Sequence, residues 1–444
     1  MKLNTKRTVL VGFAFLSICA FWQLYDALIP LILNTTFKLS ESISGFIMAA
    51  DNVLALFLLP FFGGLSDRCK SPLGRRRPFI LVGTLLAVAM MVILPLLDNS
   101  YYSAPKGYKL IMFVVALGVL LFAMGIYRSP AVALMPDVTP KPLRSKGNAI
   151  INLMGAVGGV VYLIVAGLLY SSSRIAGMEH VDYFAAFAII AGVMLLALFI
   201  LMFFVNEPKL VREQEEYEKA HPEEILTVAQ GETEKQVMPP EVKRSLGFLL
   251  ASIALWFIGY NGVTTWFSTY AKRVWSMEAG DSALCLTVAT VGAIISYIPV
   301  GNIASKVGRR LTIKFGVVLL ASCFAAGFVF TLFSSSFHWI LFVIFALVGV
   351  AWASINVNSL PMVVEMCSGA DVGKFTGLYY TFSMSAQIMT PIVAGFLLEH
   401  IGYKVLFIYA AAFVALAFVT MSFVRHGDNK IEAKKGLEAF DVED

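Results

Sequence analysis

Apolar stretches of about 20 residues follow one another along the chain, separated by short charged gaps. Windows of this kind fall near 8–33, 43–65, 78–97, 108–134, 147–170 and 183–205, then near 245–271, 282–303, 311–333, 337–360, 374–398 and 403–424. A helix needs about 20 residues to cross the hydrocarbon of a bilayer, so each window predicts a membrane-spanning helix. Lipid cannot satisfy backbone polar groups, which leaves helix bundles or closed barrels, and barrel strands would be shorter and alternate in polarity. The first window is long, carries Asp26 and lacks a small-residue cleavage site, so it predicts a retained span rather than a signal peptide.

The gap between the sixth and seventh windows differs from the rest. Residues 206–244 are polar and contain the charge run Arg212 to Lys219, which predicts a solvated linker helix. The expected organisation is a six-helix half over 1–205, a cytoplasmic linker over 206–244, a second six-helix half over 245–424 and a cytoplasmic tail over 425–444. That tail, charged in both signs from His426 onward, predicts a solvated helix or a disordered segment. With the N-terminus inside, the short inner segments hold 19 Lys and Arg and the short outer loops hold 7. The positive-inside rule therefore predicts that both termini are cytoplasmic, in a multi-pass protein of the plasma or inner membrane.

An internal repeat relates the two halves. Asp137, Lys146 and Val165-Ala166-Gly167 recur at a constant offset of 228 as Glu365, Lys374 and Val393-Ala394-Gly395. The loop Gly64-Leu65-Ser66-Asp67-Arg68 with Gly74-Arg75-Arg76 is echoed by Gly301 to Arg310, with Gly308-Arg309-Arg310 closing it. Composition agrees with the windows: 58% of residues are apolar, 14% are charged, and the mean hydropathy is +0.78. The formal charge of +5 is read as a topology signal, with no nucleic-acid partner. Cys19, Cys69, Cys285, Cys323 and Cys367 have no paired spacing and predict neither disulfides nor a metal site. Asn34-Thr35-Thr36 fits a glycosylation acceptor, but Asn34 abuts the membrane.

The charged loop predicts an inner gate. Its glycines permit close helix approach, Asp67 can accept bonds from helix N-termini or arginines, and the arginines anchor it at the inner surface. Gly64, Asp67, Arg68, Gly74, Arg75, Arg76, Asp137 and Arg144 form this gate in the first half, and Gly308, Arg309 and Glu365 form it in the second. The loop resembles the signature loop of the major facilitator superfamily, and the run Ser66 to Ile80 is similar to that of the sucrose–proton symporter branch. Ala133-Leu134-Met135-Pro136-Asp137-Val138-Thr139, followed by Arg144 and Asn148, resembles the glycoside–pentoside–hexuronide symporters. The resemblance covers the whole chain. It implies an all-α major facilitator fold, twelve helices in two repeats around a central cavity, and symport of a sugar, commonly a disaccharide, with a cation. One departure limits the transfer of residues: Leu120 to Val132 has no acid, and Arg128 lies about one turn before the arginine position of the sucrose branch.

Charges inside a bilayer cost several kcal/mol unless paired or hydrated, so they are the primary functional candidates. Asp26, Asp51 and Arg128 are the charges placed well inside the windows and are expected to couple the ion; the resemblance implies that the first and fourth spans line the cavity, so Asp26 is expected to pair with Arg128, with Asp51 as an alternative carrier or part of a Na⁺ site. Gln23, Asp26 and Pro30 share one face of the first span, which the proline is expected to break. For a sugar, amide and hydroxyl groups with aromatic faces are needed. The candidates are Gln23, Tyr127 and Asn152 in the first half, and Trp256, Tyr260, Asn261, Trp352, Asn356, Asn358, Tyr380 and Gln387 in the second. The same residue types also join membrane helices. The resulting expectation is a monomeric transporter without catalytic residues or cofactor, driven by a coupling ion, a proton first. Sodium coupling, uncoupled transport and carriage of a lysolipid are the alternatives.

Overall fold

The computed structural model describes residues 4–140, 143–175, 177–220, 238–366 and 372–428. Cys367, the linker over 221–237 and the tail from residue 429 lie outside the described residues, as does the side chain of Lys374. Every apolar window forms a helix: α1 (Thr5–Thr35), α2 (Glu41–Asp67), α3 (Arg77–Ser103), α4 (Gly107–Val138), α5 (Arg144–Leu169) and α7 (Phe184–Phe204) in the first half. In the second half they are α9 (Pro240–Trp275), α10 (Ala279–Val307), α11 (Arg309–Phe333), α12 (Ile340–Glu365), α13 (Val372–His400) and α14 (Val405–Ser422). A short α6 (Ser172–Ile175) follows α5, and α8 (Glu207–Ala220) is the charged linker helix. Among the described residues, 12 helices are long and apolar enough to cross a membrane. The fold is all-helical.

Most helices overrun their apolar windows by several residues at one or both ends, because hydropathy registers only the part facing hydrocarbon while the hydrogen-bonded ladder continues beyond it. Those polar extensions carry the charged motif. Asp67 is the last residue of α2, Arg77 the first of α3, Asp137 lies in the last turn of α4, and Glu365 ends α12. α1 also runs through Pro30 without interruption, so the expected break is absent. Proline has no N–H, however, and the carbonyl of Asp26, four residues earlier, therefore lacks its helical donor.

The chain divides into two compact units, one comprising 1–40, 50–222 and 279–281, the other 41–49, 223–278 and 282–444. Within the first, α1 packs on α5 and α7, and α3 packs on α4 and α7. Within the second, α9 packs on α13 and α14, and α11 packs on α12 and α14. The same four pairings in the same order are the three-dimensional form of the sequence repeat. Small residues permit this packing: a Cβ at Gly158 on α5 would lie 1.9 Å from the Leu16 carbonyl oxygen of α1. The second unit is filled by aromatic rings, Trp275 packing edge-on to Tyr270 at 5.1 Å and stacking on Phe407 at 5.6 Å. Phe57, Phe61, Phe203 and Phe333 are exposed on the outside, as expected where lipid rather than water is the solvent.

Candidate functional site

Asp26 on α1, Asp51 on α2 and Arg128 on α4 all belong to the first unit and gather into one cluster. The Asp51 carboxylate acts electrostatically on Asp26, while the Arg128 charge acts on Asp51. Asp51 Oδ1 also accepts bonds from the Asn52 backbone N–H at 2.5 Å and from its side-chain amide at 2.8 Å. The Arg128 guanidinium lies over the Trp22 ring, 5.7 Å from its centroid. Neither Asp26 nor Asp51 forms an ion pair with Arg128 within 4 Å, so the expected Asp26–Arg128 pair is absent; the Arg128 charge reaches Asp51 through space. Tyr25 lies within electrostatic reach of both carboxylates, and its hydroxyl and the Trp22 indole N–H are buried without a protein hydrogen-bond partner. Buried donors left unpaired are costly, so this is where a polar ligand gains most by bonding.

The other sugar-contact candidates of the first unit separate by environment. Gln23 points toward α5, its Oε1 lying 3.7 Å from the Cβ position of Gly159. Asn152 on α5 is half-buried. Tyr127 is fully buried, and its hydroxyl bonds Ser17 Oγ at 2.5 Å and the Ala14 carbonyl at 3.1 Å. Its polar capacity is spent joining α4 to α1, which places it in the packing rather than at a ligand surface.

In the second unit Tyr260 and Trp352 stack face to face at 3.7 Å with an interplanar angle of 6°, and Phe257 packs edge-on to Trp352 at 5.4 Å. The neighbouring Asn261 amide nitrogen is buried without a hydrogen-bond partner. Tyr380 packs against Tyr379 at 5.4 Å, and Gln387 is half-buried one turn before Pro391. Asn356 is nearly buried. Trp256 is wholly enclosed in the aromatic core with its indole N–H unpaired, while the Asn358 amide is spent on its own helix, donating to the Ser354 carbonyl at 2.9 Å.

The charged loops form two matching ion-pair sets. Arg76 Nε binds Asp137 Oδ2 at 2.7 Å, its Nη2 binds Asp67 at 2.5 Å and its Nη1 donates to Ser66 Oγ at 2.5 Å. Burial opposes its charge, but the bonds to Asp137 and Asp67 prevail and hold the Arg76 guanidinium above its ordinary value. Arg75 adds a contact to Asp137 at 3.3 Å. In the second unit Arg309 binds Glu365 at 2.6 Å, the repeat-related pair. Gly74 and Gly308 have φ of +111° and +99°, conformations that require glycine. Gly64 is not a point of close approach, since nothing lies within 4 Å of its Cβ position; Gly63 faces Ser129 Oγ at 2.9 Å instead. Arg144 donates to the Thr139 carbonyl at 3.3 Å, and Arg68 is exposed.

Several participants were not legible beforehand. Glu207, only 1% exposed, accepts backbone N–H bonds from Arg75 at 2.7 Å, Arg76 at 3.0 Å and Arg77 at 3.1 Å. It sits some 130 positions away in the chain, at the start of the polar stretch 206–244 that reads as a solvated linker. Tyr25 and Trp22 were not among the candidates; the signal the sequence carries for them is their position next to, and one turn before, Asp26 on α1. At the tail, His426 Nδ1 bonds Ser245 Oγ at 2.8 Å and Asp428 accepts from the Arg310 N–H at 3.3 Å, so residues 425–428 are part of the second unit rather than solvated chain.

Among the described residues, twelve helices long and apolar enough to cross a membrane, packed in an order that repeats between the two units, define an integral membrane protein built from two related halves. A sequence profile of the Major Facilitator Superfamily matches residues 11–280 and 275–441, and the chain belongs to that family of secondary transporters. Sucrose transport protein SUC3 of Arabidopsis thaliana is 31% identical over 152 residues, covering 32% of this chain and 25% of that protein. Sucrose transport protein SUT1 of Oryza sativa subsp. japonica is 28% identical over 138 residues, covering 28% of this chain and 26% of that protein. The matched segment thus spans about a quarter of these relatives. In fold, the inward-open xylose transporter XylE from E. coli superposes with a TM-score of 0.68 at 16% identity, covering 97% of each chain. The nucleoside transporter NupG gives 0.67 at 13%, covering 95% of this chain and 100% of that one.

Proposed function

We propose that this transporter carries a glycoside, a di- or oligosaccharide, into the cell together with a proton, by alternating access. The observation that carries the reading is the cluster of two carboxylates and one guanidinium in the first unit. At bilayer depth like charges cannot both remain ionised cheaply, and one arginine neutralises only one acid. The Arg128 charge reaches Asp51, and Asp26 is the group that takes up the transported proton and releases it on the other side. The sugar class rests on the partial likeness to the sucrose transport proteins. It is supported by the polar and aromatic groups beside the cluster, Trp22, Tyr25 and Gln23, and by Tyr260, Asn261, Trp352, Tyr380 and Gln387 in the second unit. The distribution of Lys and Arg in the short loops supports cytoplasmic termini in a plasma or inner membrane. The domain boundaries follow the repeat: 1–205, 206–244, 245–424 and 425–444.

The test is uptake of radiolabelled sucrose, maltose and raffinose into proteoliposomes under an imposed proton or sodium gradient. A proton gradient is expected to drive accumulation. Asp26→Asn is expected to abolish accumulation while keeping gradient-free sugar exchange. Accumulation driven by sodium alone would replace the proton in this reading, retained accumulation in Asp26→Asn would refute the assignment of the carrier, and no movement of any sugar would refute the substrate class.

A further inference from the structure

The second unit carries a charge that neither the gate nor the ion cluster uses. Lys314 lies on α11, just inside the apolar window that begins at residue 311, where a charge is costly unless paired or hydrated. Among the described residues it forms neither an ion pair nor a hydrogen bond. Its Nζ lies over the Phe418 ring of α14, 5.8 Å from the centroid, and the Arg310 charge, one turn earlier on α11, acts on it. Like charges at this helical spacing repel. Arg310 is itself incompletely satisfied: its Nη2 donates to the Ser422 carbonyl at 3.2 Å, but its Nε is buried without a partner. The acids at this end are engaged elsewhere, Glu365 by Arg309 at 2.6 Å and Asp428 by the backbone N–H of Arg310 at 3.3 Å. Two cations one turn apart therefore want an anion that the described side chains do not supply.

The surroundings say where that anion comes from. Lys314 shares its helix face with Leu311, Phe315 and Val318, which are 58%, 58% and 47% exposed on a helix apolar enough to lie in lipid. An anion on this face belongs to the bilayer. The repeat shows that the scaffold does not require the lysine. Aligned on the positive-φ glycines, Gly74 with Gly308, its counterpart in the first unit is Ile80; aligned on the arginines that hold the acids, Arg76 with Arg309, it is Leu81. Both are apolar, so the charge is an addition of the second half.

We propose that Arg310 and Lys314 bind the phosphate of an anionic glycerophospholipid, in the leaflet at the charged-loop end, with its acyl chains along Phe315, Val318 and Phe418. The phosphodiester accepts from Arg310 Nε and from the Lys314 ammonium together, which pairs the orphaned donor and offsets the repulsion between the two cations. A choline or ethanolamine headgroup fits less well, because its own cation meets two more. The inference is independent of the cargo and of the coupling ion.

The test is native mass spectrometry of the full-length protein in detergent, titrated with dioleoylphosphatidylglycerol or with dioleoylphosphatidylcholine, which has the same chains. The parent is expected to retain the phosphatidylglycerol more tightly. Lys314→Leu, which installs the residue type of the first unit, is expected to weaken that binding about tenfold, the scale of one charge-assisted hydrogen bond, and to leave phosphatidylcholine unchanged. Lys314→Gln gives the same reading should the leucine variant fold poorly, and Lys314→Arg is expected to keep the binding. Arg244→Gln removes a charge that lies over Phe248 on α9, 5.7 Å from the ring centroid, and is expected to change little, which separates a site from general attraction. Soluble glycerol phosphate is expected not to compete. Equal binding of the two lipids by the parent, unchanged phosphatidylglycerol binding in the folded Lys314 variants, or an equal loss in Arg244→Gln overturns the proposal. Competition by glycerol phosphate makes the ligand a free anion and equally overturns it.

Discussion

Two glycines of the charged loop, alike in sequence, are placed by the structure in opposite physical situations. Gly64 lies inside α2 with nothing within 4 Å of its Cβ position. Gly74 has φ +111°, and a Cβ there would lie 2.3 Å from Glu207 Oε2 and 2.9 Å from Glu207 Cβ. Gly64→Ala removes backbone freedom from the unfolded chain without a collision and is expected to stabilise by about 0.5–1 kcal/mol. Gly74→Ala meets two penalties. The positive φ costs about 1–2 kcal/mol for an L-residue. Displacing Glu207 loosens a carboxylate held by three backbone N–H groups, which adds about 1–2 kcal/mol. The two variants should therefore differ by about 3–5 kcal/mol, read as urea or thermal unfolding of the detergent-solubilised protein followed by tryptophan fluorescence. Adding Glu207→Ala separates the terms, because Gly74→Ala should then cost only its backbone part, about 1–2 kcal/mol. Equal stability of the Gly64 and Gly74 variants would refute the reasoning, as would a Gly74→Ala protein no less stable than the parent.

The remaining predictions follow the same logic. Tyr127→Phe deletes a hydroxyl bonded to Ser17 and Ala14 and should cost about 1 kcal/mol of stability while leaving the apparent KM for transport unchanged; a raised KM would return Tyr127 to the binding surface. Gly158→Ala, crowding the Leu16 carbonyl, should destabilise by about 2–3 kcal/mol, whereas Gly192→Ala, with nothing within 4 Å, should not; the same unfolding assay compares them. His180 gives a pH dependence at the loop before α7. Its Nε2 bonds Asn99 Oδ1 at 2.8 Å, its ring stacks on Tyr102 at 4.3 Å, and Asp98, Asp182 and Glu179 surround it. Burial lowers its proton affinity against the opposing pull of Asp182, so its contribution is present above the ordinary histidine value and is lost as pH falls through the lowered one. Melting temperatures taken from about pH 7.5 down to about pH 5, across the histidine range, should fall more for the parent than for His180→Gln, and identical profiles would exclude His180 as the cause.

The order of twelve spans and their repeat could be read directly from the chain because both are carried by local quantities: the length of each apolar run, the residues that punctuate it, and the constant offset between Asp137 and Glu365. The loop motif likewise named Arg76 and Asp137, and Arg309 and Glu365, before any coordinates placed them 2.7 Å and 2.6 Å apart. Bilayer energetics singled out Asp26, Asp51 and Arg128, since a charge within an apolar run is conspicuous by composition alone. Which of them meet was a different matter. The family resemblance suggested Asp26 for Arg128, but in the fold the two form no ion pair, the Arg128 charge reaches Asp51, and Tyr25 and Trp22 beside them keep unpaired buried donors. Tyr127 and Asn358 had the residue types of a sugar site, and only their neighbours assign them to packing. Glu207 and Asp428 stood in stretches whose composition reads as solvated, yet each closes a helix end brought to it by the fold. Local sequence determines which segments enter lipid and which charges are anomalous there; partners distant in the chain are chosen by helix packing, whose geometry depends on surfaces that no single segment contains.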